Sequence, residues 1–349
     1  MPKLPAELRG RGGPDALMAA VGRFSDLMTP LLGLTARGRR PAGPVDRSLQ
    51  VVVTSVRAEA DGVVSVRLAD LAGRPLPGWQ PGCHLDVHLP SGRVRQYSLC
   101  GDPRDRTAYR IAVRLIEDGG GGSREVHALA EGRRLTVSPP RNAFPLAVTA
   151  RHVFVAGGIG ITPILPMVQA AARRGADWHL LYLGRTAAAL PFLDELAPHG
   201  DRVTVRTDDL GGPPSAALLP DVTGATVHAC GPAPLIGLVR DAVRGRALSF
   251  HSERFTPAPV VGGRPFEVRL ARQNVTVHVP AGRTALDAIR DAVPDVAYSC
   301  RQGFCGTCRV RVLGGEPDHR DNALTDDERR SEMMICVSRA TGLDLTLDL

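Results

Sequence analysis

The chain has 349 residues, enough for two or three domains, and its composition of 43% hydrophobic and 23% charged residues is typical of a globular protein. The net charge is +7, but Lys3 is the only lysine, which argues against a phosphate-binding P-loop and a pyridoxal enzyme, because each needs a lysine in its site. Aromatic residues make up only 4% and the arginines are spread along the chain, so nucleic-acid binding is not expected.

The apolar runs and the cysteines indicate the cellular compartment of the protein. No uninterrupted apolar run reaches the ~18 residues that predict a membrane span. The N-terminus lacks the apolar core and cleavage site of a signal peptide. The seven cysteines are an odd number and four are clustered, which favours a metal site in a reducing compartment over a disulfide framework. We expect a cytoplasmic monomer.

Residues 1–46 form an N-terminal extension rich in Gly, Pro and Arg. Five apolar residues recur there at helical spacing and predict one amphipathic helix. They are Leu17, Val21, Phe24, Met28 and Leu31. We expect this helix to pack against the rest of the protein or to remain unpacked. The alternative is that it contacts a partner or a membrane surface.

Residues 47–147 consist of short β-runs separated by Gly and Pro turns, a pattern typical of a small antiparallel barrel. The first two runs flank Asp61 and Gly62, a dipeptide that predicts a hairpin.

One strand of this barrel carries residues suited to a flavin. Alternation places Arg95 and Tyr97 on one face, and Gln96 and Ser98 on the other. These types supply a cation for the phosphate, an aromatic for the ring and polar groups for its edge. Further on, the glycine run 118–123 precedes a predicted short helix, a combination that binds phosphate. Ordinary strand residues and a flexible glycine loop are the alternatives.

Residues 148–255 alternate between strands and helices, which predicts an α/β domain with a parallel sheet. After its first strand, a glycine turn lets the backbone approach a pyrophosphate. The turn glycines are Gly157, Gly158 and Gly160. A helix is expected to follow, with Thr162 as its cap and Pro163 at its first position.

The second strand of this domain ends near Arg185, and we find no carboxylate there for a ribose 2′-hydroxyl. Arg185 suits the 2′-phosphate of NADPH, or a pyrophosphate.

Residues 256–264 read as a linker, and 265–349 as a third, α+β domain with an unusual cysteine pattern. The pattern is C-x4-C-x2-C with a fourth cysteine 28 residues on. The four are Cys300, Cys305, Cys308 and Cys336. This is the plant-type spacing for a 2Fe-2S cluster, and Gly303 and Gly306 permit the tight loop it needs. Structural zinc is the alternative, although it usually uses two cysteine pairs.

The sequences RQYSLCGDP and GGGGS, with the C-terminal cysteine pattern, resemble the phthalate dioxygenase reductase and vanillate O-demethylase reductase family over residues 47–349. The resemblance implies a flavin barrel, a nicotinamide domain and a C-terminal ferredoxin of β-grasp type, with FMN, NADH and a 2Fe-2S cluster as cofactors. Residues 1–46 have no counterpart in the family.

The resemblance also implies roles for individual residues. The residues expected to contact the flavin are Arg95, Gln96, Tyr97, Ser98, Val113 and Arg114. Gly122 and Ser123 are expected to bind its phosphate. The turn Cys230-Gly231-Pro232 is expected at the nicotinamide, and Phe255 over the flavin ring. A buried structural cysteine and a plug between domains are the alternatives for Cys230 and Phe255.

The function that the resemblance implies is electron transfer. Electrons would pass from NADH through FMN and the cluster to a Rieske-type oxygenase in aromatic demethylation or hydroxylation. The alternatives are the same chain serving a haem-thiolate monooxygenase, and a redox sensor without turnover.

Overall fold

The computed structural model describes residues 47–117, 121–255, 260–298, 301–303, 306–321 and 323–349. The helix predicted within residues 1–46 lies outside them. Contacts group Ser48–Leu349 into one unit. In these described ranges, no helix is both long and apolar enough to cross a membrane.

The first part of the chain is an antiparallel sheet that curls into a barrel. Its long hairpin of β1 (Leu49–Ala60) and β2 (Val63–Asp70) turns at Gly62, as predicted. The other elements are β3 (Cys83–His88), β4 (Val94–Ser98), β5 (Ala108–Arg114), α1 (Gly122–His127), β6 (Arg134–Val137) and β7 (Arg141–Asn142). The strand order is β4-β3-β6-β1-β2-β5, with β7 beside β3. A bridge between Leu99 and Ile111 joins the two ends and closes the barrel.

The second part is a five-stranded parallel sheet in the order β10-β9-β8-β11-β12. Its strands are β8 (Arg151–Gly157), β9 (Asp177–Gly184), β10 (Val203–Thr207), β11 (Thr226–Cys230) and β12 (Ser249–Glu253). Its helices are α2 (Ile161–Arg173), α3 (Leu193–Leu196), α4 (Asp208–Gly211) and α5 (Ala233–Val243). Because all five strands run the same way, their carboxyl ends meet at one edge, where ligands bind in such folds.

The start of α2 differs from the prediction. A 3₁₀ turn over Gly158–Gly160 leads into the helix, which is capped by Gly160 rather than Thr162. Thr162 lies inside the first turn, and its hydroxyl donates to the carbonyl of Ile159 at 3.0 Å. Pro163 is tolerated at the third helical position because the first N–H groups of a helix need no helical partner. The predicted cap was therefore two residues too late.

The barrel and the parallel sheet share a hydrophobic core. Val63, Cys100 and Phe144 from the first part pack in one cluster with Phe154 and Leu165 from the second. The two parts are thus joined by buried apolar surface, the strongest general source of cohesion between elements.

The third part is a mixed sheet in the order β14-β13-β19-β15-β17. Its elements are β13 (Phe266–Leu270), β14 (Val275–Val279), α6 (Ala285–Ala292), β15 (Arg309–Gly314), β16 (Pro317–Asp318), α7 (Asp326–Arg329), β17 (Glu332–Met334), β18 (Arg339–Ala340) and β19 (Asp344–Leu347). The Thr284 hydroxyl caps α6 by accepting from the Asp287 N–H. The described members of its core cluster all lie between residues 266 and 349, so this core is separate from the other two parts.

A buried arginine fixes the entry into the third part. Arg339 is 1% exposed, and its guanidinium donates to the carbonyls of Arg264, Pro280 and Arg283. It also lies over the ring of Phe266, 5.0 Å from the centroid. The cation therefore binds the end of the linker to the hairpin of β13 and β14.

Candidate functional site

The barrel and the parallel sheet meet at Ser98, the last residue of β4. Ser98 is 7% exposed, and its hydroxyl lies near enough to the carboxyl group of Glu253, at the end of β12, to lower the pKa of that group. Glu253 pairs in register with Cys230, the last residue of β11. Three polar side chains from different strands therefore converge at the carboxyl edge of the parallel sheet.

This convergence point is buried and uncharged at neutral pH. Burial raises the pKa of Glu253 to about 8, although the nearby Ser98 hydroxyl opposes the shift. Burial also raises the pKa of the Cys230 thiol well above its ordinary value, and the carboxylate of Glu253 adds to that effect. Both groups hold their protons near pH 7, so the site offers hydrogen-bond donors without a net charge.

Glu253 was not among the residues assigned from the sequence, although it lies two residues before Phe255. The overlooked signal was that a fifth strand ends there. In a parallel sheet, the carboxyl end of β12 must lie beside that of β11, and therefore beside Cys230.

Two buried polar atoms at the site find no hydrogen-bond partner among the described residues. They are Nε2 of Gln96, on β4, and one carboxyl oxygen of Glu253. A buried polar atom without a hydrogen-bond partner costs free energy, so its presence in a site indicates that a ligand binds there. A donor and an acceptor of this kind fit the polar edge of a flavin ring.

A second feature of the barrel suits a phosphate. The side chain of Arg95 lies so close to Gly122, at the start of α1, that a β-carbon there would be 2.8 Å from its Cγ and Nε atoms. Arg93 lies beside Gly121, at an ordinary contact distance of 3.6 Å from a β-carbon there, and is paired with Glu125 at 2.8 Å. The arginine and the open helix start therefore form a cradle that only glycine leaves room for, and the residues fit FMN.

The other predicted flavin contacts are placed as follows. Tyr97 is half-buried against the barrel core, and burial raises its pKa to about 12. Val113 is buried, with its carbonyl 2.9 Å from Nε2 of His127, whereas Arg114 is exposed. The Ser123 hydroxyl is engaged by the backbone of Ile116 at 3.0 Å.

The glycine turn after β8 is packed against the turn after β11. A β-carbon at Gly160 would lie 2.3 Å from the Cys230 carbonyl oxygen. At Gly157 it would lie 2.9 Å from Pro232, and at Gly231 3.2 Å from Gly157. The two turns thus touch backbone to backbone, and Gly158, with φ +54°, makes the bend. Gly158 and Gly231 are half-exposed there, so a dinucleotide can reach the backbone of both turns.

The structure brings carboxylates to the place where β9 ends and Arg185 follows. Asp208 and Asp209 follow the neighbouring strand β10, and the Asp209 N–H donates to the Arg185 carbonyl at 3.2 Å. All three side chains are exposed. The sequence has no acid at the end of β9, and it does not show that β10 lies beside β9. An acid at this edge is the usual partner of a ribose 2′-hydroxyl.

The cysteine motif can be followed at two of its four positions. Cys308 and Cys336 are 2% and 1% exposed, and the Ile335 N–H donates to the Cys308 carbonyl at 3.3 Å. Cys300 and Cys305 lie outside the described residues. Gly303, at φ +78°, packs so tightly that a β-carbon would lie 2.6 Å from Val337. A buried pair of thiols below a glycine-dependent loop fits a 2Fe-2S cluster held by four cysteines.

Titration of Glu253 gives a first prediction. Its folded-state pKa of about 8 lies above its ordinary value of 4.5, so the folded protein binds this proton more tightly than the unfolded chain. The stability of the apoprotein should therefore fall as pH rises from about 4.5 to about 8. Glu253→Gln should remove this component, so that the variant gains in melting temperature over the wild type at pH 8 but not at pH 5. An equal difference at both pH values would contradict the assignment.

Comparisons with known proteins agree with this arrangement. Residues 268–341 match the model of the 2Fe-2S iron-sulfur cluster binding domain. Phthalate dioxygenase reductase of Burkholderia cepacia is 37% identical over 316 residues, which cover 87% of this chain and 98% of that protein. Vanillate O-demethylase oxidoreductase of a Pseudomonas species is 37% identical over 318 residues, covering 86% and 100%.

Solved structures give the same result. The structure of phthalate dioxygenase reductase, described as modular for electron transfer from pyridine nucleotides to [2Fe-2S], aligns with a TM-score of 0.63 at 36% identity and covers 87% of this chain and 98% of that one. The order of barrel, parallel sheet and cluster-binding domain confirms the predicted fold class. The chain belongs to the family of phthalate dioxygenase reductases, oxidoreductases that combine a flavin, a nicotinamide nucleotide and a 2Fe-2S cluster.

Proposed function

We propose that this chain carries electrons from NADH, through FMN and a 2Fe-2S cluster, to an oxygenase in the cytoplasm. The observation that carries the proposal is the convergence of Ser98, Cys230 and Glu253 between a phosphate cradle and a glycine turn. Cys83 and Cys100 are buried free thiols, which agrees with a reducing compartment. A single chain contains the barrel, the parallel sheet and the cluster-binding domain, so a monomer is sufficient for the proposed electron transfer.

When bound, FMN accepts two electrons from NADH as hydride and releases them singly, which suits a cluster that accepts one electron at a time. The protein's part is to hold and shield these groups. Arg95 and the start of α1 bind the phosphate, and Gln96 and Glu253 direct polar atoms to the ring edge. Burial of the Glu253 carboxyl group holds a proton there at neutral pH, against the opposing effect of the Ser98 hydroxyl.

The nicotinamide is proposed to enter over the turn of Cys230, Gly231 and Pro232, where it displaces Phe255. Phe255 is 48% exposed, which is a large exposed fraction for an aromatic side chain close in sequence to a buried cluster of polar groups. A ring that is only half-covered can leave its place without exposing much apolar surface. Its proposed role is to cover the flavin until the nucleotide binds.

The electron acceptor is proposed to be a Rieske-type oxygenase. The name of phthalate dioxygenase reductase gives a dioxygenase as the partner of that relative. A haem-thiolate acceptor is the second candidate. It is favoured by the structure of full-length CYP116B46 from Tepidiphilus thermophilus, which aligns with a TM-score of 0.68 at 38% identity over 90% of this chain. This chain spans only 44% of that one.

Anaerobic titration with NADH tests the proposal directly. Both the flavin and the iron–sulfur absorption bands should bleach, and an artificial acceptor should restore them. A sensor without turnover would fail to reduce the artificial acceptor repeatedly. A protein whose flavin does not bleach with either NADH or NADPH would contradict the proposed function.

The carboxylates after β10 predict the choice of nucleotide. We expect NADH to be preferred because Asp208 and Asp209 would repel the 2′-phosphate of NADPH and can accept a ribose hydroxyl. The double change Asp208→Ala with Asp209→Ala should raise KM for NADH about tenfold, because one or two hydrogen bonds to the ribose are lost. It should also improve the use of NADPH. Asp241→Ala, on the far helix α5, is the matched control. Unchanged KM values for both nucleotides would show that the ribose lies elsewhere.

A further inference from the structure

A side chain of the cysteine loop reaches the strand end that forms the flavin site. Gln302 lies between Cys300 and Cys305, and its Oε1 accepts from the backbone N–H of Arg254 at 3.1 Å. Its Nε2 donates to the backbone carbonyl of the same residue. One amide thus satisfies both polar groups of one peptide residue, as a neighbouring strand would.

The residue that Gln302 holds has a particular position. Arg254 separates Glu253, which is buried against Ser98, from Phe255, which is half-exposed. Pairing of Glu253 with Cys230 holds the end of β12 in register with β11, so the Arg254 backbone is a fixed point to which the cysteine loop can attach. The contact therefore couples the position of the cysteine loop to the residues proposed to face the flavin.

The cysteine loop itself is anchored on its other side. Arg301 has a left-handed backbone, φ +55°, and its guanidinium is paired with Asp287 in the first turn of α6. The Thr284 cap holds Asp287 in place through hydrogen bonds at 2.8 and 3.0 Å. Consecutive residues thus point to two different parts of the protein: Arg301 to the third part, and Gln302 to the second.

The third part has its own hydrophobic core, so polar contacts orient it relative to the other two parts. The described members of that core lie within residues 266–349, whereas the barrel and the parallel sheet share buried residues. The linker end is bound to the third part by Arg320, which donates to the Val261 carbonyl at 2.8 Å, and by Arg339. These two arginines anchor the linker but do not orient the cysteine loop toward β12.

We propose that Gln302 is a positioning residue for electron transfer, which docks the cluster loop on Arg254 and so sets the path from the flavin to the cluster. This inference rests on the proposed function. In the step it serves, one electron leaves the flavin that NADH has reduced and enters the oxidised cluster. No bond forms or breaks at Gln302, which touches neither substrate nor acceptor.

The test uses the full-length holoprotein and Gln302→Met, which keeps the length of the side chain but loses both hydrogen bonds. After rapid anaerobic mixing with NADH, flavin bleaching should keep its wild-type rate, while bleaching of the cluster band should slow about tenfold, as expected for two lost hydrogen bonds. The electron paramagnetic resonance spectrum of the dithionite-reduced cluster should be unchanged. Gln273→Met, in the exposed turn between β13 and β14, is the matched control and should change neither rate.

A second measurement does not depend on activity. Amide hydrogen exchange at Arg254 should be faster in Gln302→Met than in the wild type, and unchanged in Gln273→Met. Wild-type exchange at Arg254, or wild-type cluster reduction, would overturn the proposal. Loss of the resonance spectrum would overturn it too, because Gln302 would then serve the cluster loop alone. If the wild-type flavin is not reduced by NADH, the proposed function fails, whereas exchange at Arg254 still decides whether the contact exists.

Discussion

Cys336→Ser is expected to leave a yellow flavoprotein without an iron–sulfur spectrum. Cys336 is 1% exposed and lies with Cys308 in the core below the glycine loop, so no other side chain can take its place from solvent. A serine hydroxyl stays protonated at neutral pH and cannot replace a thiolate ligand. Changes in outer partners of a metal site already cost 10–100-fold in affinity, and loss of a ligand should cost at least about 100-fold.

Absorption and paramagnetic resonance spectra of the reduced protein measure this loss, and flavin released on denaturation measures the flavin content. The content should remain equal to that of the wild type, because the flavin residues lie on other strands. Cys83→Ala is the matched control, since Cys83 is also buried but belongs to the barrel core. A wild-type cluster spectrum in Cys336→Ser would remove Cys336 from the ligand set, and would reopen the structural-zinc alternative if zinc were found instead of iron.

Gly160→Ala should damage nucleotide binding more than any single change on the surface. The added β-carbon would lie 2.3 Å from the Cys230 carbonyl oxygen and 2.6 Å from its carbon, and both are backbone atoms that cannot rotate away. The turn after β8 must therefore move from the turn after β11. Overpacking of this kind costs about 1–3 kcal/mol in stability. We expect KM for NADH to rise about tenfold or more, because ~1.4 kcal/mol corresponds to a factor of ten.

Steady-state kinetics with an artificial acceptor and thermal unfolding measure these two effects. Gly237→Ala is the matched control, because Gly237 lies in helix α5 of the same domain and a β-carbon there meets nothing within 4 Å. Replacing glycine by alanine inside a helix should stabilise that variant slightly. Wild-type KM and stability in Gly160→Ala would mean that the two turns are not in contact in solution.

The sequence was most informative where chemistry restricts spacing. The four-cysteine pattern and the period-2 alternation of 95–98 point to a cluster and a flavin because few other arrangements need those residue types so close together. The short strands of the barrel were also recognisable, since Gly and Pro turns separate them. The named site residues remain predictions at the level of individual contacts with cofactors.

What the sequence did not reveal depends on which strands are neighbours. Glu253 and the pair Asp208 and Asp209 became candidates only once β12 was seen beside β11, and β10 beside β9. Parallel strands are joined by long crossovers, so proximity in sequence says little about which strand ends meet. The error at Thr162 was local. A 3₁₀ turn of glycines started the helix early, and composition alone does not distinguish such a turn from a loop.

The division of the hydrophobic core bears on how the chain comes apart. The barrel and the parallel sheet share buried residues, so heat or denaturant should melt them together in one cooperative transition. The 266–349 core can open on its own, and among the described residues its opening would break polar contacts such as those of Gln302. The cluster-bearing module is therefore a candidate for replacement by a homologous ferredoxin, with residue 302 kept as glutamine so that the exchanged module still fits its place.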